Sequence, residues 1–256
     1  MVDAVGDFLP DDGIEPVRSL RVPRQPLPLL WARGLAEARG EWLLIMETSC
    51  TPAPGWLTAV RQRLAGAPSV FGGAVEMADG HSMVDWSAYF CEYAQFMDPL
   101  PMSGRIGELP GNNICFHRDL MQIGKWFLAP GFWKTFWCNE LMKNGVVLQA
   151  EPGMIVRFEK RYRFFPFLRR RFHHGRCYAG MRNLHLPGWK RMLYAGGSLF
   201  LPVLMLARML QKFIPKRRLL MCYLAVLPYS ILAVLAWAAG EAAGYCFGPG
   251  ESCERI

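Results

Sequence analysis

The sequence lacks closely spaced cysteines, which would suggest a zinc-binding protein. It also lacks an apolar leader, which would suggest a secreted one. Its eight cysteines are scattered, and none stands in a Cys-x-x-Cys pair, which argues against a zinc site. Residues 1–20 are acidic and contain no apolar core, so no signal peptide is expected. Four cysteines in apolar surroundings are expected to be buried thiols in a reducing compartment, namely Cys50, Cys91, Cys115 and Cys138.

Acidic residues are almost absent from one long stretch. Residues 157–218 hold 16 lysines and arginines but only Glu159 as an acid, a local net charge of +15 in a chain whose total is +8. A basic stretch beside apolar segments favours an anionic membrane surface, to which each basic residue contributes about 1 kcal/mol. No helix-turn-helix, zinc-finger or RNA-binding motif accompanies these residues, so nucleic acid is not expected as a partner.

Charge is also missing from two apolar segments near the C-terminus. Leu219–Gly240 is 22 residues without a charge, and it would reach about 33 Å as a helix, enough for a hydrocarbon core of roughly 30 Å. Leu193–Ala207 is shorter and is interrupted by glycines and Pro202. It is expected either to span a membrane or to re-enter it. The basic residues from Lys212 to Arg218 favour a cytoplasmic loop between the two segments.

A short apolar run, Trp42 to Met46, predicts a buried strand in the first half of the chain. Helix-forming residues precede it, and a second helix is expected from Gly55 to Leu64 after a proline-containing turn. Ligands of open α/β sheets bind outside the carboxyl ends of strands. Glu47 and Ser49, which follow this strand, are therefore candidate binding residues.

This stretch resembles glycosyltransferase family 2, the sugar transferases of the A-type nucleotide-sugar fold. The family pattern is A-x-G-E, an apolar strand, and then D-x-D-x-x-P-x-x-G-W-L. The acidic motif is altered here to Glu47-Thr48-Ser49, although a bacterial subset carries Glu-Asp-His-Cys, of which Glu47 and Cys50 match. The other matching positions are Ala38, Gly40, Glu41, Pro52 or Pro54, Gly55, Trp56 and Leu57.

A second segment, Leu109 to Arg118, is similar to the family's G-x-N-x-x-x-x-R motif, which follows the sugar-binding strand. The resemblance implies that Asn112 or Asn113 lines the ligand and that Arg118 contributes to substrate binding. Pro-Gly-Asn-Asn is also a common turn sequence. Both interpretations of the two asparagines stay open at this point.

The resemblance also implies a catalytic base and a metal ion. Family members carry a carboxylate at the start of the helix that follows a G-x-F motif, whereas this chain has Lys134 after Gly131-Phe132-Trp133. Glu140 is the only carboxylate in the segment 126–145, and it becomes the candidate base, although it is turned by about 120° from the expected direction; a solvated surface glutamate is the alternative. A divalent cation, Mg²⁺ or Mn²⁺, would bind Glu47, with Ser49 or a water beside it.

Arg171 and Arg176 form an R-x-x-x-G-R segment similar to one that related membrane transferases place in an interfacial helix. Arginine binds two oxygens of a diphosphate at once, although attraction to lipid headgroups explains the pattern equally well. The family's first apolar strand, which ends in I-P-x-x-N, is not found in residues 1–26. Either the chain is truncated, or it has lost the nucleotide half of the site.

The prediction is an α/β fold: a partial A-type (Rossmann-like) glycosyltransferase domain followed by a helical membrane hairpin. The implied function is transfer of a hexose-type sugar from a nucleotide-sugar to a lipid-linked or polysaccharide acceptor of the cell envelope, by a protein of the inner membrane with its catalytic domain in the cytoplasm. The alternative is a catalytically degenerate homologue that binds a glycan, a lipid or a partner protein. The predicted segments are an irregular 1–26, the α/β domain 27–156, a basic interfacial helical segment 157–192, the hairpin 193–245 and a tail 246–256.

Overall fold

The computed structural model describes residues 2–3, 19–23, 25–67, 69–100, 104–124, 131–183, 186–214 and 217–256. The chain divides into two compact units. The first unit comprises Met1–Glu76 and Phe96–Phe158, and the second comprises Met77–Gln95 and Glu159–Ile256. The fold is mixed α/β, as predicted, and it ends in long apolar helices. Of the predicted catalytic segment 126–145, residues 126–130 lie outside the described residues.

The regular elements follow one another in this order: β1 (Val2–Asp3), β2 (Leu20–Arg21), α1 (Leu27–Glu37), β3 (Trp42–Met46), β4 (Cys50–Pro52), α2 (Trp56–Leu64), β5 (Val70–Gly72), β6 (Val75–Met77), α3 (Met83–Tyr93), β7 (Asn113–His117), α4 (Lys134–Lys143), β8 (Leu148–Ala150), β9 (Val156–Phe158), α5 (Phe164–Asn183), α6 (Gly188–Gly197), α7 (Leu201–Phe213) and α8 (Arg217–Phe247). Gly250–Arg255 forms a final 3₁₀ helix. The parallel pair β1–β2 lies within the segment that the sequence predicts to be irregular.

The main sheet of the first unit has four strands in the order β3-β7-β5-β8. β7 runs antiparallel to both β3 and β5, and β8 runs parallel to β5. Consequently β3, β5 and β8 all point the same way, and β7 begins where they end. In register, Met46 at the end of β3 lies opposite Asn113 at the start of β7. We call this side of the sheet the carboxyl edge.

β3 is half-exposed rather than fully buried, which differs from the prediction. Leu43 and Ile45 are 3% and 6% exposed, whereas Leu44 and Met46 are each 37% exposed. The reason is that β3 is an outer strand of its sheet, and its alternate side chains face opposite sides. A continuous apolar run therefore does not require burial on both faces.

One face of this sheet carries the apolar core of the first unit. The buried members include Leu35 of α1, Phe116 of β7 and Trp137 of α4. Phe116 and Trp137 have ring centroids 4.7 Å apart, within the usual range for aromatic pairs. α1 and α4 are thereby anchored to one face of this sheet.

The pair Gly72-Gly73 separates β5 from β6, and these two strands belong to different sheets. β6 joins a three-stranded sheet in the order β4-β9-β6. Gly73 lies between the two strands, and a Cβ added there would stand 1.5 Å from the carbonyl oxygen of Met154. Only glycine permits this approach of two backbones, so the crossing from one sheet to the other depends on it.

The second unit is helical, and its α5 and α8 pack at very close range through small residues. A Cβ added to Gly175 would lie 2.2 Å from the carbonyl oxygen of Trp237, and one added to Gly240 would lie 2.1 Å from that of Phe172. Gly244 meets the carbonyl oxygen of Arg176 in the same way. Small residues at such contacts are typical of helix pairs in membranes.

Two helical segments of the second unit are long and apolar enough to cross a membrane: Gly188–Phe213, with 26 residues, and Arg217–Phe247, with 31. The first includes the interrupted segment Leu193–Ala207, which is thus part of a longer helical stretch than its apolar core alone suggests. In the predicted tail, Cys253 forms a disulfide with Cys177 of α5. The scattered cysteines gave no sign of this pair, and a disulfide differs from the expected reducing compartment, because such bonds persist mainly where conditions are oxidising. Cys50, Cys115 and Cys138 are buried thiols as predicted, whereas the thiol Cys91 is only half-buried.

Candidate functional site

The carboxyl edge brings together four of the residues that the sequence singles out. Glu47 and Ser49 follow the last residue of β3, while Asn112 and Asn113 stand at the start of β7. The pairing of Met46 with Asn113 makes the two segments neighbours. The Ser49 hydroxyl donates a hydrogen bond of 3.2 Å to the Glu47 carboxylate. A strand end and a strand start thus supply a carboxylate, a hydroxyl and two amides at one edge.

Asn113 is fully buried, and its amide connects three separate segments. Its Nδ2 donates to the carbonyl oxygens of Ala74 at 3.1 Å and Met154 at 2.7 Å. Its Oδ1 accepts a hydrogen bond of 3.0 Å from Nε1 of Trp56, the first residue of α2. The contacts of Asn113 therefore join β7 to α2 and to the segments that lead into β6 and β9.

Asn112 has a different neighbourhood, although it is also buried. Its Nδ2 lies 3.1 Å from Sγ of Cys50, the first residue of β4. Sulfur is a weak hydrogen-bond acceptor, so this contact binds the amide less firmly than the carbonyl contacts of Asn113. Of the two asparagines, Asn112 is therefore better suited to exchange a protein contact for a ligand contact.

Arg118 lies at the opposite edge of the sheet from Glu47. It follows His117, which pairs with Trp42 at the start of β3. Its guanidinium donates to the carbonyl oxygen of Gly40 at 2.8 Å and to that of Ala38. The structure does not bring Arg118 to the carboxyl edge. Its contacts instead hold the loop that leads from α1 into β3.

Glu140, the candidate base, also lies away from the carboxyl edge. It is six residues beyond Lys134, or about 9 Å along the axis of α4. The end of α4 leads into β8, which begins at the edge opposite the carboxyl edge. The Glu140 carboxylate accepts a hydrogen bond of 3.1 Å from Lys143 on the same helix. Its position favours the surface glutamate that the sequence left as the alternative.

A different carboxylate stands at the start of α4. Lys134 Nζ lies 2.6 Å from Oε1 of Glu108, and the hydroxyl of Thr135 donates to the same oxygen at 2.8 Å. Lys134 Nζ also lies 5.4 Å from the ring centroid of Phe96. Sequence reasoning missed Glu108 because no spacing pattern links it to a helix that begins 26 residues later. The only signal was its position directly before the Leu109–Arg118 segment.

The protein groups at the carboxyl edge do not by themselves fit a divalent cation. Mg²⁺ demands octahedral oxygen coordination, usually including waters and substrate phosphates, and Ca²⁺ takes six to eight oxygens. Glu47 supplies one carboxylate, and Ser49 supplies a hydroxyl that already donates to it. Across the described ranges, no three or more His, Cys, Asp or Glu residues are grouped as a metal site would need. The predicted role of Glu47 as a metal ligand therefore requires oxygens from a substrate.

Arg171 and Arg176 belong to the second unit. Arg171 is 2% exposed, and its guanidinium carbon lies 4.3 Å from the ring centroid of Trp237. Arg176 donates through Nε to the carbonyl oxygen of Gly248 at 3.1 Å. The first is thus stacked between α5 and α8, and the second holds the chain after α8 against α5.

A half-buried polar network includes Arg170, the neighbour of Arg171 in α5. The Arg170 guanidinium donates to Glu92 at 3.2 Å and to the hydroxyl of Tyr162 at 2.7 Å. Burial acts to raise the pKa of the Glu92 carboxyl, but the positive charges of Arg170 and Arg171 hold that pKa below its ordinary value. Burial lowers the pKa of His174 to about 3. At neutral pH this network therefore holds a charged glutamate, charged arginines and a neutral histidine.

The chain was compared with family models, curated proteins and solved structures. No family model and no curated protein matches the chain. Among solved structures, it is similar to the mannosyltransferase PcManGT from Pyrobaculum calidifontis in complex with GDP-Man and Mn²⁺. The two share 17% sequence identity over 88% of this chain and 69% of that one, with a TM-score of 0.47.

Proposed function

We propose that this protein is a membrane-associated glycosyltransferase that moves a sugar from a nucleotide-sugar to a lipid-linked or polysaccharide acceptor of the cell envelope. The observation that carries the proposal is the grouping of Glu47, Ser49, Asn112 and Asn113 at the carboxyl edge of an α/β sheet. This is the side on which open α/β sheets bind ligands. The family resemblance of the segments that supply these residues supports the same function.

The donor is assigned to the carboxyl edge. Asn112 and Ser49 are suited to the sugar or ribose hydroxyls, because amides and hydroxyls both donate and accept hydrogen bonds. Glu47 would share a divalent cation with the donor diphosphate, which would supply the oxygens that the protein lacks. Arg176 is assigned to a phosphate-bearing lipid at the second unit. Arg171 remains a predicted substrate residue, but here it is 2% exposed and packs on Trp237. Arg118 remains a predicted substrate residue whose contacts here are with backbone carbonyls.

The second unit supports the proposed membrane association. Among the described residues, it contains two helical segments that are long and apolar enough to cross a membrane. Large apolar side chains on these helices face outward, for example Leu199, Phe200 and Val203, which are 72–78% exposed. The stretch 157–218 adds its charge of +15. We assign the protein to an inner membrane, with the first unit in the cytoplasm where nucleotide-sugars are made.

The test uses membranes from cells that produce the full chain. They are incubated with radiolabelled UDP-glucose, UDP-N-acetylglucosamine or GDP-mannose, and label is counted in the lipid extract and the polysaccharide pellet. We expect incorporation from one donor by the wild type and its loss in Glu47→Gln. Asp119→Asn, an exposed carboxylate beyond β7, is the matched control. The proposal would be refuted if the wild type incorporated no label and also bound no donor.

A second candidate function is a catalytically degenerate homologue that binds a glycan, a lipid or a partner protein. Two observations favour it. Lys134 stands where the resemblance calls for a carboxylate, and the amide of Asn113 is engaged by three groups of the protein itself. The same membranes distinguish the candidates, because a degenerate homologue would bind a labelled donor or glycan without transferring label.

A further inference from the structure

We propose that Glu108 is the base that removes the proton from the acceptor hydroxyl during sugar transfer. The inference rests on the proposed function and specifies one residue of its mechanism. The family's carboxylate at the start of the helix is replaced by Lys134 in this chain, and Glu108 brings a carboxylate to the same place from another segment. The contact between Glu108 and the first turn of α4 carries the inference.

The start of α4 lies near the carboxyl edge. Gly111, next to Asn112, faces the indole of Trp31 in α1, and a Cβ added to Gly111 would lie 2.7 Å from that ring. The backbone N–H of Phe132 donates to the carbonyl oxygen of Pro28, at the beginning of α1, at 2.7 Å. The residues just before α4 are therefore beside the part of α1 that adjoins the carboxyl edge.

Glu108 is connected to that edge along the chain as well. The next residue, Leu109, is fully buried and touches Gly72 at the end of β5, since a Cβ on Gly72 would lie 2.9 Å from the leucine side chain. Four residues further on, the chain enters β7 at Asn113. Glu108 is thus fixed near the carboxyl edge by its own segment and by its contact with Lys134.

The surroundings of Glu108 suit a base whose position is fixed. Lys134 and Thr135 both bind Oε1, and we assign the transferred proton to Oε2. The carboxylate side chain of Glu108 is 27% exposed, whereas the side chain of Lys134 is 12% exposed. The carboxylate is therefore the more accessible member of the pair, and Lys134 acts as a positioning residue that holds it.

The reaction balances as a direct displacement. The acceptor oxygen forms a bond to the anomeric carbon of the donor sugar, while the bond from that carbon to the diphosphate oxygen breaks. The diphosphate leaves with the electron pair. The acceptor hydroxyl proton passes to Oε2 of Glu108, which becomes a carboxylic acid and then returns the proton to water.

The test measures transfer of the donor that the wild type uses, in membranes containing full-length variants. A positioned base contributes about 10²–10⁴-fold to the rate, so Glu108→Gln is expected to lose transfer by that factor while retaining donor binding. Formate should raise the rate of Glu108→Ala, because it supplies a carboxylate that a purely structural role would not need. Asp119→Asn is the matched control, and thermal unfolding of each variant checks its folding.

The outcomes separate this inference from the proposed function. Unchanged transfer by Glu108→Gln, with an active wild type, overturns the inference alone. The inference is also overturned if Glu108→Ala loses transfer and formate does not restore it. It is overturned as well if Glu140→Gln loses transfer a hundredfold while Glu108→Gln loses none. An inactive wild type that fails to bind any donor overturns the proposed function and the inference together. An inactive wild type that binds donor supports the degenerate homologue and also overturns the inference.

Discussion

Replacement of Asn113 by alanine should destabilise the first unit far more than the same change at Asn112. The change at Asn113 removes three hydrogen bonds, to Trp56, Ala74 and Met154. At about 0.5–1.5 kcal/mol each, the expected loss in the free energy of unfolding is about 1.5–4.5 kcal/mol. The contact of the Asn112 amide with sulfur contributes about 1 kcal/mol or less.

The two variants form a matched pair, because neighbouring asparagines of equal burial receive the same change. Urea unfolding of the full chain in detergent, followed by tryptophan fluorescence, reports the free-energy difference. Binding of the labelled donor is measured in parallel below the unfolding transition. Near-wild-type stability of Asn113→Ala together with lost donor binding would refute the reasoning, since it would show that the amide serves a ligand rather than the contacts between segments.

Three further predictions concern the metal, the pH and the helix packing. Calorimetry with Mn²⁺ should show weak binding to the chain alone and stronger binding with a nucleoside diphosphate, since Glu47 is the predicted protein ligand and a single carboxylate binds such an ion weakly; tight binding without nucleotide would show that other ligands are present. Because the pKa of His174 is about 3 in the folded protein and 6.5 in an exposed histidine of the unfolded chain, the unfolded state binds the extra proton, and stability should fall as the pH drops from about 6.5 toward 3; His174→Asn should flatten this dependence, and an unchanged slope would contradict it. Gly240→Leu should lower the melting temperature through overpacking of about 1–3 kcal/mol or more, while Gly196→Ala, with nothing within 4 Å of its added Cβ, should not, and equal melting temperatures for the two would count against the close α5–α8 contact.

The sequence predicted those features that depend on local pattern. The strand Trp42–Met46 and the helix that follows it were expected from an apolar run, a glycine and two prolines, and all of these elements are present. The two long apolar helices follow from hydropathy in the same way. The prediction that polar residues after β3 lie at a strand end also rests on chain order alone, and the topology places them there.

The remaining features depend on pairings between distant segments. Arg118 matches the arginine of the G-x-N-x-x-x-x-R motif in the sequence. In the structure, its partners are backbone carbonyls 78 and 80 residues earlier in the chain. The contact between Glu108 and Lys134 joins a loop to the first residue of α4, and no periodicity connects the two. The roles of Asn112 and Asn113 differ only because of what each amide touches after folding. Sequence patterns identify residue types and local direction, but they do not identify such partners.

The disulfide between Cys177 and Cys253 constrains how the C-terminal helices are arranged in a bilayer. The two cysteines are 76 positions apart, and both candidate spans lie within the ring that the bond closes. A bond between the ends of this ring requires both ends on the same side, so the number of crossings inside it is even. With the disulfide formed, either both helices cross or neither does. The arrangement with one spanning and one re-entrant segment, which the sequence left open, has the wrong parity.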